Sequence, residues 1–289
     1  MSKPSNPFIQ LLKPGILMHS LLTFTLGYVM ANGYLFASVF FMSLFGFACL
    51  SGGAAAMNHI LERDLDALME RTKKRPLPSR ILSVKTALIY SIVLGVAGFL
   101  ILFFFVNSLT AFLGATTFLL YNFIYTPFKK IHWINTYIGA IPGAIPPICG
   151  WTSVVNGFDL NVLPFFFIFY FWQMPHFFSI AWLYRDAYQS AGFRMLSFKD
   201  FNANKIATHI IINTIFLILI TAIPFLQMQL SWVYLVGVMF LNGYYLKEGF
   251  VFYKKRQDDD ARMVLKASLI YQPLLLVFIL LDKMISIVI

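Results

Sequence analysis

Asn58, Glu62 and Asp66 stand four residues apart in the segment NHILERDLDALMERTKKRPLPSR. At about 100° per residue each step drifts only about 40°, so the three oxygen-bearing side chains share one helical stripe that rises about 12 Å. A column of hard oxygen donors suits Mg²⁺, which uses one or two carboxylates and completes its shell with water and substrate phosphates. Arg71, Lys73, Lys74 and Arg75 follow at once. They would hold the phosphate oxygens that a metal leaves free. The chemistry suggested is the gripping of a pyrophosphate. Asp64 lies roughly 240° round from Asn58 and joins the stripe only if the helix unwinds there. The plainer alternative is a juxtamembrane helix whose charges mark the interface. It suits one carboxylate better than three donors in register before RTKKRP.

Two further segments carry unusual residues. In YNFIYTPFKKIHWINTYIGAIPGAIPPICGW, Lys129 and Lys130 either complete an anion site or simply mark topology. The series Gly139, Pro142, Gly143, Pro146, Pro147 and Gly150 must kink its helix, since each Pro removes a backbone bond and clashes with the preceding turn. Such a break is tolerated in a membrane where it lines a cavity, or where small residues pack between helices. In WQMPHFFSIAWLYRDAYQSAGFRMLSF, His176 lies nine residues inside Arg185, about 13 Å along a helix. An ionisable group at that depth points to function. An imidazole there can ligate haem iron or make a hydrogen bond between helices. Arg185, Asp186 and Tyr188 form a second polar cluster.

The elements that must position these residues are membrane helices. Of 289 residues, 59% are hydrophobic and 12% charged, with 32 Phe, and the mean hydropathy is +0.75. A soluble domain carries about 25% charged residues, so a water-soluble globule is excluded, as are a disordered chain and a disulfide-stapled mini-domain. Runs such as FLILFFFV and LPFFFIFYFW do not alternate in polarity, which excludes barrel strands. Helices of about 20 residues cross the hydrocarbon. Nine spans are expected: 9–32, 35–60, 82–106, 108–126, 133–155, 161–184, 206–226, 229–252 and 263–288.

The 22 Lys and Arg outnumber the 12 Asp and Glu by ten, and their placement fixes an orientation. Lys3, Lys13, the basic run after span two, Lys129, Lys130, Arg185, Arg194 and the Lys/Arg cluster between spans eight and nine all fall on one face. Among the basic residues, Lys283 alone falls on the other. By the positive-inside rule the crowded face is cytoplasmic, with the N-terminus inside and the C-terminus outside. Orientation explains the basic charge without nucleic acid. The opening MSKPSNPF is too short and polar to read as a cleaved signal, which suggests a bacterial-type inner membrane. Cys49 and Cys149 lie in apolar spans and suggest neither a disulfide nor a metal motif.

With these motifs in place the chain resembles the UbiA-type membrane prenyltransferases. The first motif of that superfamily, an Asn followed by carboxylates at four-residue spacing, falls on Asn58, Glu62 and Asp66. Three features resemble the haem-farnesylating branch: Met69, Arg71, Thr72, Arg75, Pro76 and Leu77; the PPxxGW ending at Trp151; and Pro175-His176-Phe177. Two departures stand out. The middle carboxylate, commonly Asp, is Glu62, and the acidic pair usual before the second-motif Tyr is reduced to Asp186, followed by Ala187.

The resemblance implies an all-α integral membrane protein forming a single polytopic domain over residues 1–289. About nine helices would surround a central cavity opening near the cytoplasmic face, as a four-helix pseudo-repeat plus one. It implies farnesyl transfer from farnesyl diphosphate to a vinyl group of haem B, with haem as substrate and Mg²⁺ as cofactor, and a product passed to haem A synthase or a terminal oxidase assembly. Asn58, Glu62, Asp66 and Asp186 would hold the metal, with Arg71, Arg75, Lys129, Lys130 and Arg185 sharing the pyrophosphate charge. Tyr121, Tyr125 and Tyr188 would shield an allylic cation, and His176 would ligate the haem iron. Two rival functions are prenyl transfer to an aromatic quinone precursor and secondary transport. Transporters bind near the midplane, whereas the acids here crowd one mouth.

Overall fold

The computed structural model describes residues 6–35, 37–200 and 202–288; Lys3 lies outside them. All regular structure among the described residues is helical. Six helices are long and apolar enough to cross a bilayer: Ser38–Leu61, Val84–Phe105, Ser108–Phe128, Asn135–Val155, Asn204–Leu226 and Asp258–Ile285. The chain is a multi-pass membrane protein. The other three expected spans correspond to Pro14–Met30, which has 17 residues, Leu163–Leu183 and Trp232–Lys255. The last two have 21 and 24 residues but carry Gln173, Pro175 and His176, or Asn242, Lys247 and Glu248, among their apolar residues.

The chain forms two compact units. The first holds α1 (Pro7–Leu11), α2 (Pro14–Met30), α3 (Ser38–Leu61), α4 (Arg63–Asp66), α5 (Val84–Phe105), α6 (Ser108–Leu119), a π-helical turn at Leu120–Tyr125, α7 (Thr126–Phe128), α8 (Asn135–Ala144) and α9 (Pro146–Val155), together with Asp186–Arg194. The expected first span is interrupted. Pro14 cannot donate to a preceding turn, and Lys13 takes a left-handed conformation at φ 49° between α1 and α2. The fifth span breaks as its prolines require, with α8 ending at Ala144 and Pro146 opening α9.

Inside this unit α3 packs along α5, and α2 along α9. Ser91 Oγ donates to the Gly53 carbonyl at 2.8 Å, so the small residues before Asn58 admit a neighbouring backbone. At the other crossing a Cβ on Gly150 would stand 1.9 Å from the Phe24 carbonyl oxygen, and one on Gly27 equally close to the Pro147 oxygen. Only glycine permits that approach. Leu11, Ala56, Leu77 and Ala87 form a buried cluster that ties the loop after α4 to α1, α3 and α5.

The second unit holds α10 (Leu163–Leu183), then, after α11 (Arg185–Ser190), α12 (Asn204–Thr221), α13 (Ile223–Leu226), α14 (Trp232–Lys255) and α15 (Asp258–Val288). α15 begins earlier than the expected 263, because Asp258, Asp259 and Asp260 occupy its first turn, where carboxylates complement the helix dipole. Buried Asp282 of α15 accepts from Ser231 N at 2.9 Å, Ser231 Oγ at 2.5 Å and Tyr234 N at 3.0 Å. One carboxylate thus serves the donors at the start of α14 that have no partner within the helix.

A methyl group at position 150 would force α2 and α9 apart. Gly150→Ala is expected to lower stability by about 1–3 kcal/mol, read as an earlier thermal unfolding midpoint of detergent-solubilised protein.

Candidate active site

Asn58, Glu62 and Asp66 are all buried, although α3 ends at Leu61 and a short second helix carries Asp66. Each donor meets a cation. The Lys13 ammonium donates to Asn58 Oδ1, Lys129 Nζ donates to Glu62 Oε1 at 2.6 Å, and Arg75 Nη1 donates to Asp66 Oδ2 at 2.7 Å. Asn58 Nδ2 in turn donates to Thr126 Oγ1 at 2.8 Å. Asp64 takes no part: its side chain is 82% exposed and bonds Arg63.

Burial and charge act against each other here. Burial by itself would raise the Glu62 pKa, but Lys129 and then Lys13 outweigh it and hold the carboxyl at about 2. Burial likewise works against a charged Lys129, yet the Glu62 carboxylate carries its pKa well above the ordinary lysine value. Lys13 lacks so strong a partner. Burial pulls it to about 7, with Glu62 opposing and Arg75 and Lys129 reinforcing the fall.

The local structure explains how Lys129 reaches this place. In the π-helical turn, Thr126 Oγ1 donates to the Tyr121 carbonyl at 2.9 Å, and the Tyr121 and Tyr125 rings lie 5.6 Å apart. The Lys129 ammonium sits 4.5 Å from the Tyr125 ring centroid, within cation–π range. Tyr125 lies flat on α8, where a Cβ on Gly139 would stand 2.4 Å from its ring. Arg194 N donates to the Lys129 carbonyl at 2.8 Å, and Asn135 Nδ2 holds the Arg194 carbonyl at 3.2 Å. The second-motif segment is therefore fastened to Lys129. It brings Tyr188, whose ring lies 5.6 Å from Phe193, and Arg71 acts electrostatically on the Tyr188 hydroxyl. Asp186 and Lys130 are exposed, and Lys130 acts on Asp64.

Arg185 and His176 belong to the second unit and have partners there. The Arg185 guanidinium pairs with Asp258 at 3.0 Å and lies 4.3 Å from the Trp182 ring. His176 Nδ1 is 2.8 Å from Ser268 Oγ. Three contributors escaped the spacing argument: Lys13, Thr126 and Phe193. Lys13 was legible only as a charge beside Pro14, and the other two as ordinary polar or aromatic residues.

The donor set suits a hard cation. All three side chains offer oxygen, and each carboxylate has a second oxygen beyond its ion pair. Among the described residues no three His, Cys, Asp or Glu side chains converge as a ready cage. Oxygen donors spread along a chain fit an ion that is shared with phosphate oxygens. The surrounding cations fit the phosphate itself.

The sequence profile of the UbiA prenyltransferase family matches residues 20–270. The chain belongs to the UbiA prenyltransferase family. Relatives include a protoheme IX farnesyltransferase of Koribacter versatilis, 39% identical over 84% of this chain and 81% of that protein. Another, from Legionella pneumophila, is 33% identical over 95% of this chain and 94% of its own length. Among solved structures, one from a study of digeranylgeranylglyceryl phosphate synthase in membranes superposes with a TM-score of 0.78 at 15% identity, covering 96% of this chain and 97% of that one. A UbiA homolog from Archaeoglobus fulgidus bound to GPP and Mg²⁺ gives 0.69 at 15% identity, covering 96% and 99%. These two show that the UbiA fold is shared.

Glu62 has a lower pKa in the folded chain than the ordinary 4.5. Its contribution to stability is therefore present above pH 4.5 and lost as pH falls toward about 2. In metal-free buffer the wild-type thermal midpoint is expected to fall across that window, and Glu62→Gln to flatten the fall.

Proposed function

We propose that this UbiA-family prenyltransferase joins C1 of farnesyl diphosphate to a vinyl group of haem B, with addition of water, giving haem O and pyrophosphate. The observation that carries the proposal is the buried ladder of Asn58, Glu62 and Asp66, each donor faced by a cation. The relatives named protoheme IX farnesyltransferase, at 33–39% identity, support haem as the acceptor.

In this reading the C1–O bond breaks with its electron pair leaving on pyrophosphate. Lys13, Lys129, Arg75 and Arg71 would share the growing negative charge, with exposed Lys130 as a further contributor. When held by Asn58, Glu62 and Asp66, with Asp186 as a fourth candidate, Mg²⁺ supplies Lewis acidity toward the diphosphate oxygens. Tyr121, Tyr125 and Tyr188 would turn aromatic faces to the allylic cation, stabilising it without reacting. The vinyl π pair then forms the new carbon–carbon bond at C1. Water adds to the resulting cation and loses one proton. His176 would bind the haem iron and orient the macrocycle.

The segregation of Lys and Arg supports a site at the cytoplasmic side of an inner membrane, within one polytopic domain. Haem O would pass to haem A synthase or a terminal oxidase assembly.

Membranes holding this chain, supplied with farnesyl diphosphate and haem B, should accumulate a pigment with the mass of haem O, and chelation of Mg²⁺ should stop its formation. Asp66→Asn, which keeps the side-chain shape, should lower the rate at least about 10²-fold while the protein stays folded and inserted. Prenylation of 4-hydroxybenzoate in place of haem, or wild-type turnover by Asp66→Asn, would overturn the reading.

A further inference from the structure

Within the first unit, the segment Asp186–Arg194 leaves α11 through a tightly bonded turn. Gly192 N donates to the Gln189 carbonyl at 3.0 Å and Phe193 N to the Tyr188 carbonyl at 2.9 Å, with Gly192 in the left-handed region at φ 80°. This is the paired bonding with which helices stop on glycine. The apolar contact that accompanies it is the Tyr188–Phe193 ring pair, 5.6 Å apart. The next residue, Arg194, is captured through both of its backbone groups. Its N–H donates to the Lys129 carbonyl at 2.8 Å, and its own carbonyl accepts from Asn135 Nδ2 at 3.2 Å.

Asn135 is fully buried, and its amide nitrogen donates a second time, to the His132 carbonyl at 2.8 Å. A side-chain amide carries two hydrogens, and here each goes to a carbonyl of a different segment. The His132 carbonyl also accepts from the Asn135 backbone N–H at 3.0 Å, so the side chain matters most to Arg194. An ionised carboxylate of the same shape can only accept and would set oxygens against oxygens. The tie bears directly on the Lys129 ammonium, which lies 6.0 Å from the Phe193 ring, 4.5 Å from the Tyr125 ring and 2.6 Å from Glu62 Oε1. Lys129 and Arg71 both act electrostatically on the Tyr188 hydroxyl.

We propose that Asn135 is a positioning residue whose amide latches the turn after α11 onto Lys129, so that the ammonium, Phe193 and Tyr188 meet a prenyl diphosphate as one rigid face. The assignment rests on the prenyl-transfer reading above and deepens it. Asn135 acts through Arg194. Donors stabilise a growing negative charge only when they are already aimed at it, and a misplacement of about 1 Å costs about 10²-fold in rate. The latch supplies that aim from outside the ladder of Asn58, Glu62 and Asp66.

The test compares purified full-length wild type with Asn135→Asp, Asn135→Ala and Gly192→Ala. A Cβ on Gly192 meets nothing within 4 Å, so the last variant strains the same turn through its backbone alone and leaves the interior intact. Hydrogen–deuterium exchange of the peptide Tyr188–Arg194 reads the latch without substrate, and it should quicken at least about 10-fold in all three variants. With farnesyl diphosphate and haem B, kcat should fall about 10- to 100-fold while the KM for haem B stays at the wild-type value. Asn135→Asp, which keeps the shape, should do no better than Asn135→Ala. Wild-type exchange in the Asn135 variants, or fast exchange with wild-type kcat, overturns the positioning role. If those two variants do not fold, Gly192→Ala decides by the same pair of readouts. If wild type prenylates another acceptor in place of haem B, the haem reading fails alone, and kcat measured with that acceptor still decides the latch.

Discussion

The arrangement of the first unit follows from the cost of a buried charge without a partner. Moving a carboxylate or ammonium out of water costs several kcal/mol even after relaxation, and Glu62, Asp66, Lys13 and Lys129 are all drawn from helix ends into protein surroundings. The pairs Lys129–Glu62 and Arg75–Asp66 answer that cost directly. Removing one member would leave the other stranded, which is far more destabilising than the pair itself is stabilising. Such a cluster is held together by mutual need, and it can exchange partners when a ligand brings charges of its own.

The rest of the unit supplies geometry. Glycine at 139 lets Tyr125 lie against α8, and Tyr125 gives the Lys129 ammonium a face to rest on. The π-helical turn rotates Thr126 so that it bridges the Tyr121 carbonyl and Asn58. π-helical turns commonly mark functional sites in helices. Leu77, buried with Leu11, Ala56 and Ala87, anchors the loop that carries Arg75 back to Asp66. Apolar packing thus decides where the charges stand.

Much of this was legible in the residues. Four-residue spacing placed Asn58, Glu62 and Asp66 on one stripe, and the buried side chains keep that face even though the helix restarts at Arg63. The prolines between 142 and 147 foretold the break between α8 and α9. The partners were not legible, because they come from far along the chain: Lys13 is 45 residues from Asn58, and Lys129 is 67 residues from Glu62. A single Lys before a span reads as a topology marker, and no spacing rule tells such a marker from a charge folded inward. The count of nine spans came from the apolar runs, with charge segregation in its support. Length and apolarity alone select six, since α2 has only 17 residues and α10 and α14 spend several positions on polar and aromatic side chains.

At the far end of the second unit, Asp282 spans from α15 to the opening of α14. A carboxylate gripped by two backbone amides and a hydroxyl clamps that hairpin shut at one extremity. The opposite tip is closed by the chain itself, where Arg256 turns it from α14 into α15 with a left-handed backbone. Turn and carboxylate together pin the two helices at both tips, so the hairpin is a strut and not a hinge.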